Sequence, residues 1–170
     1  MEKRVILPKT YVENIEKPLI FLAGPIRDAR DWQEPAINYI TSNNKEVIIA
    51  NPRWDASEYI WNLAISGKTG YFNRQRAWEM HYLDIAQHNG AVLFWLADAL
   101  GLMTRLELGE LMIEYKHDNS TKFCVGGEKK FSDIETIRYE LSRYAPDKKI
   151  FETLEETCQE AIKLTNQKCS

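Results

Sequence analysis

Gly90-Ala91-Val92-Leu93-Phe94-Trp95-Leu96-Ala97 is an unbroken apolar run of strand length, and its reading decides the fold. A strand with one wet face alternates polar and apolar residues, whereas a strand covered on both faces is apolar throughout. Helical patterns flank the run. Upstream, Phe72 to His88 places Trp78, Tyr82 and Ile85 on one face. Downstream, Thr104 to Tyr115 carries the stripe Leu108, Leu111, Met112 and Tyr115. A buried strand between two amphipathic helices is the unit of a parallel sheet.

The same alternation continues outward. Pro18 to Ala23 is a short apolar run ended by Gly24-Pro25, and Glu46 to Ala50 is stopped by Asn51-Pro52. Thr121 to Val125 is closed by Gly126-Gly127, and Lys149 to Glu152 forms a short last strand. Between them, Asp31 caps a helix running to about Asn43, with Pro35 tolerated near its first turn. Ile134 to Tyr144 is helical, and Thr153 caps a final helix to about Thr165. Arg53 to Gly70 carries turn signals with little periodicity, which reads as a functional loop. About five strands alternating with helices predict an α/β, flavodoxin-like, doubly wound parallel sheet with helices on both faces. Such sheets bind ligands outside the carboxyl ends of their strands, where strand order reverses. That rule selects Gly24 to Arg30, Asn51 to Trp54 and Asp98 to Glu107.

The chain of 170 residues suits one domain spanning 1–170, and 44% hydrophobic with 28% charged residues is a globular composition. A net charge of -3 offers no footprint for duplex nucleic acid, while leaving room for a small anion held by local arginines. Cys124, Cys158 and Cys169 have neither disulfide nor zinc spacing, which favours a reducing cytoplasm. Met1 to Lys9 has no signal-peptide core, and no apolar run approaches the ~18 residues that span a membrane. The expectation is a cytoplasmic protein with no membrane partner.

Several residues at the selected edge can carry chemistry. Gly24-Pro25-Ile26-Arg27 lets backbone approach a ligand and offers a bidentate guanidinium; it is also an ordinary tight turn. Asn51-Pro52-Arg53-Trp54 pairs an aromatic with an arginine, suited to a base and an anion, or simply forms a turn. Thr104-Arg105-Leu106-Glu107-Leu108-Gly109 has two readings. Thr104 and Glu107 have capping-box spacing; alternatively Glu107 is a nucleophile in a first helical turn, kept ionised by helix amides. Gly109, costly inside a helix, points to a close approach. Glu79 lies at the open end of a half-buried stripe and reads as a base-binding carboxylate or a solvated one. Asp98 is an acid near Glu107 or a turn-former. Asp84, His81, His88 and His117 read as surface residues.

The ordered set Phe21-Leu22-Ala23-Gly24-Pro25-Ile26, Asn51-Pro52-Arg53, Trp78-Glu79, Leu93-Phe94-Trp95 and Thr104-Arg105-Leu106-Glu107-Leu108-Gly109 resembles the nucleoside 2-deoxyribosyltransferase-like family, from about Lys17 to Leu164. The resemblance implies a double displacement at the anomeric carbon with Glu107 as nucleophile and Asp98 assisting proton transfer to the leaving base. It implies that Gly24, Pro25 and Arg27 line the sugar or phosphate, and that Glu79 helps to hold the base. Asn51, Arg53, Trp54 and Arg105 complete the candidate substrate-binding set. The Asp98–Glu107 interval is longer than in well-known relatives, and Ile20 and Phe21 stand where an aromatic hydroxyl is expected. No metal or organic cofactor is implied. The implied partners are a small nucleoside or nucleotide and a second copy in a homo-oligomer. Hydrolysis of a deoxynucleoside or its monophosphate, cleavage of NAD, and non-catalytic nucleotide binding or sensing are the alternatives.

Overall fold

The computed structural model describes residues 4–8, 10–53 and 75–167. It contains one six-stranded sheet, parallel throughout, in the order β1-β3-β2-β4-β5-β6. The strands are β1 (Val5–Ile6), β2 (Leu19–Ala23), β3 (Ile48–Ala50), β4 (Gly90–Leu96), β5 (Phe123–Gly127) and β6 (Ile150–Phe151). The helices are α1 (Gln33–Asn43), α2 (75–88), α3 (Leu102–His117), α4 (Ile134–Tyr144) and α5 (Leu154–Thr165). The doubly wound, flavodoxin-like reading therefore holds, with six strands where about five were expected. The additional strand is β1, two residues paired to the outer side of β3.

Strand periodicity divides the core in two. In β4, Val92, Phe94 and Leu96 face one layer with α2, α3 and α4, while Ala91, Leu93 and Trp95 face the other with α1 and α5. In β2, Phe21 and Ala23 join the first layer, and Ile20 and Leu22 the second. Every residue of β2 and β4 is buried, which is why neither shows a polar alternation. The expected helical faces also hold: Trp78 and Tyr82 of α2 and Leu108, Leu111 and Met112 of α3 are buried against the sheet.

The chain passes from β2 outward to β3, then crosses to β4 on the other side of β2. Strand order thus reverses between β2 and β4, whose ends are registered Ala23 to Phe94. The loops after β2 and β4 open the crevice where such sheets take ligands. At this edge, a Cβ on Gly24 would lie 2.5 Å from both Trp32 Cζ2 and the Trp95 carbonyl oxygen. Only glycine allows the β2–α1 turn to pass that close to β4. Among the described residues, no helix is long and apolar enough to cross a membrane.

Candidate active site

The helix period explains why Glu107 is buried. Thr104, Glu107, Leu108 and Leu111 share the inward stripe of α3, and all four are buried. A carboxylate on an apolar stripe loses its hydration and needs a partner. The partner comes from α2: Arg76 Nη1 donates to Glu107 Oε1. The same nitrogen lies 3.5 Å from Glu79 Oε2, and Gln75 Nε2 donates to Glu79 Oε1 at 2.7 Å. Two carboxylates from different helices therefore meet on one guanidinium nitrogen. Helix α2 is tied to the segment before β2: Trp78 Nε1 and Tyr82 Oη donate to the Thr10 carbonyl at 3.0 and 3.3 Å, while Val12 N donates to Tyr82 Oη.

The electrostatics follow from this geometry. Burial, then the charge of Glu79, pushes the Glu107 carboxyl up to about 7; Arg76 pulls it back, and Glu110 adds a smaller upward push. Burial likewise raises the Glu79 carboxyl, offset by Gln75 and Arg76. The two acids are coupled: each proton that leaves one makes ionisation of the other harder.

This corrects several expectations. The N-cap of α3 is Gly101, at φ 54°, with no side-chain cap. Thr104 and Glu107 therefore do not form a capping box, and Glu107 lies in the second turn, where helix amides do not hold it ionised. Glu79 is not solvated, its side chain being 16% exposed. A Cβ on Gly109 would meet nothing within 4 Å among the described residues, so packing does not require that glycine. His88 and His117 are exposed as expected, but His81 is half-buried, stacked on the Tyr11 ring at 4.7 Å.

The other candidates build the rim. Arg53 Nε donates to Gln33 Oε1 at 2.7 Å, and Nη2 reaches the carbonyls of Ile26, Ala29 and Arg30 at 3.2 to 3.4 Å. Asn51 is buried, and its Oδ1 accepts from Arg53 N at 3.0 Å, which aims the arginine. Asn51 and Arg53 thus bracket the loop that carries Gly24, Pro25 and Arg27. Pro25 is buried and its carbonyl accepts from Trp32 Nε1, while Arg27 is exposed. Arg105 donates to the Leu100 carbonyl and to Ser132, and its guanidinium lies 4.4 Å over the Phe131 ring. It docks α3 onto the β5–α4 loop.

Asp98 is exposed just beyond β4, and its backbone N–H donates to Glu128 Oε2 at 3.0 Å. Among the described residues, the charged groups that act on Glu107 are Glu79, Arg76 and Glu110, so Glu79 stands closer to it electrostatically than Asp98 does. Trp54 lies outside the described residues.

Two residues escaped the sequence reading. Arg76 sits one turn before Glu79, and a search for the counter-ion of a carboxylate on an apolar stripe would have found it. Glu128 follows β5 at the same sheet edge; it accepts from Arg30 Nη2 at 2.7 Å as well as from Asp98 N, joining three loops.

A cavity of about 1090 Å³ opens at the opposite sheet edge, beside Lys122, Phe123 and Lys148. The carboxyl ends of α3 and α5 point there, and Lys122 donates to the Gln167 carbonyl. Among the described residues that line it, acids and lysines are interleaved and none forms a counterpart of the Glu79–Arg76–Glu107 group. The chemistry therefore favours the other edge. No family model and no curated protein matches the sequence.

Proposed function

We propose that the protein cleaves the N-glycosidic bond of a 2-deoxynucleoside or nucleotide and transfers the 2-deoxyribosyl group between bases through an ester on Glu107. The observation that carries the reading is the buried Glu107 carboxylate, paired through Arg76 with a second carboxylate, Glu79, beside the switch point of a doubly wound sheet. Displacement at an anomeric carbon through an oxocarbenium-like transition state needs a nucleophilic carboxylate and a proton carrier, and retaining glycosidases solve the same problem with two carboxyl groups.

In the first step an oxygen of Glu107 attacks C1′. The bond from C1′ to the base nitrogen breaks, its electron pair leaves with the base, and a proton is delivered to that base. In the second step an incoming base nitrogen attacks C1′, the ester bond breaks, and the new base loses its proton. Configuration is retained. Water in place of the second base converts the same intermediate into free sugar. Low exposure at Glu107 supports the ester reading, because a shielded ester survives until an acceptor arrives. The outer side of α3 carries exposed Leu102, Leu106 and Ile113, which supports assembly into a homo-oligomer as part of the same proposal.

The test is chromatographic product analysis with a panel of deoxynucleosides and deoxynucleotides, with and without a second base. Wild type is expected to exchange or release base, and Glu107→Ala to do neither. A 2-fluoro sugar analogue should add its sugar mass at Glu107. Turnover that survives in Glu107→Ala would remove the basis of the proposal.

A further inference from the structure

We propose that Arg76 is a positioning residue that makes Glu79 and Glu107 one acid–nucleophile unit, so that Glu79 rather than Asp98 carries the proton for the leaving base. The inference rests on the reading of Glu107 as nucleophile.

The argument is geometric. One nitrogen, Arg76 Nη1, contacts Glu107 Oε1 and lies 3.5 Å from Glu79 Oε2. The three side chains are 20% exposed or less, so water screens their interactions weakly. Two carboxylates and one guanidinium leave an excess negative charge when both acids are ionised. One proton shared by the carboxyls removes it. Among the described residues, the charged groups facing Glu107 are Arg76 and Glu79 from α2 and Glu110 from its own helix, and Arg76 is the cation of that set. Attack uses the proton distribution in which Glu107 is ionised and Glu79 carries the proton, and Arg76, which reaches both carboxylates, is the group that makes this distribution accessible. The pair then holds a nucleophile and an acid at once. Asp98 is exposed, its backbone N–H bonded to Glu128, and its carboxylate is not among the groups that act on Glu107.

The chemical step balances. Glu107 donates the electron pair to C1′, Glu79 gives its proton to the departing base nitrogen, and Glu79 becomes the carboxylate that later accepts a proton from the incoming base. Arg76 neutralises whichever carboxylate is charged at each stage. It touches neither sugar nor base in this scheme, so its contribution is to the protonation and aim of the two acids.

The experiment is a ¹³C NMR titration of the intact protein labelled at glutamate side-chain carboxyls, with Glu79→Gln and Glu107→Gln as assignment variants. Wild type should show two mutually dependent steps, the upper in the neutral range. Glu79→Gln should lower the Glu107 midpoint, and Arg76→Met should raise the upper midpoint, each by about one pH unit or more. Arg76→Lys, which keeps a cation, should restore most of that shift and serves if Arg76→Met does not fold. A Glu107 midpoint indifferent to both Glu79→Gln and Arg76→Lys or Met overturns the inference. Base exchange is measured in parallel: its acid limb should follow the lower midpoint, where Glu107 takes up a proton, and its alkaline limb the upper midpoint, where the pair loses its last one. Base exchange without coupled titration refutes the unit alone. Coupled titration without base exchange refutes the glycosidic reading and the proton role of Glu79, while the Arg76-linked pair stands as a structural fact.

Discussion

Replacing Glu107 by glutamine keeps the shape of the side chain and removes its charge, so its effect on folding should depend on pH. Burial and the neighbouring Glu79 raise the Glu107 carboxyl from 4.5 to about 7. A folded-state value above the unfolded one means that the native protein holds the proton more tightly. Stability from this group is therefore fully present below about pH 4.5 and declines as pH rises through about 7. Each pH unit separating the two values is worth about 1.4 kcal/mol, which makes the decline about 3 kcal/mol for wild type. Glutamine has no proton to lose and can still accept from Arg76. The stability of Glu107→Gln relative to wild type should then rise by about 3 kcal/mol between pH 4.5 and 7, or roughly 6–12 °C in Tm for a domain of this size. Urea unfolding followed by tryptophan fluorescence across this pH range measures the difference, with a constant m-value confirming that the same surface unfolds. Parallel curves for the two proteins would refute the reasoning, for Glu107 would then be ionised in the fold as readily as in the unfolded chain.

Gly24→Ala should destabilise the protein by about 1–3 kcal/mol in urea unfolding, because the Trp95 carbonyl oxygen, 2.5 Å from the new Cβ, is held in β4 and cannot yield. Gly109→Ala should stabilise by about 0.5–1 kcal/mol in the same assay, since the added methyl meets nothing in the described structure and the helix gains propensity. Thr153→Ala should remove about 1 kcal/mol by breaking the capping box in which Thr153 accepts from Glu156 N and Glu156 reaches back; Thr153→Ser should retain most of it. Arg53→Lys should leave the carbonyls of Ile26, Ala29 and Arg30 without their shared donor, and hydrogen exchange in residues 24–31 should accelerate even though the charge is kept.

Much of this architecture is legible in the sequence because it rests on unbroken apolar runs. β2 and β4 are buried on both faces and appear as such runs, while α4 has the boundaries that its periodicity indicates. β1 is two residues long, and no pattern of that length stands out from its surroundings. Gly126 and Gly127 look like a strand stop, yet both belong to β5, where Thr157 and Leu96 pack too close to leave room for a Cβ. The start of α3 is obscured for a related reason: Thr104 and Glu107 carry the spacing of a cap, but a left-handed Gly101 begins the helix earlier. Glu107 could be singled out from its motif. Its environment could not, because burial, the Arg76 contact and the nearness of Glu79 join residues on two helices through tertiary packing. Arg53 and Arg105 show the same limit. Each stands at the predicted edge, and only the fold reveals that their donors hold loops together.

The placement of the strands also bears on how the chain avoids self-association. Its most β-prone segment, Gly90–Leu96, lies mid-sheet, whereas the two borders are β1 and β6, each two residues long. Borders this short offer almost no template for another chain's backbone. The native molecule is thereby protected from edge-to-edge polymerisation. During synthesis the protection is incomplete: β2 and β3 are made before β4 and can receive it on one side, but β5 emerges later. The nascent chain therefore displays an unpaired flank of its stickiest strand until Phe123–Gly127 arrives, and aggregation of this protein should track delays in that interval rather than the stability of the finished fold.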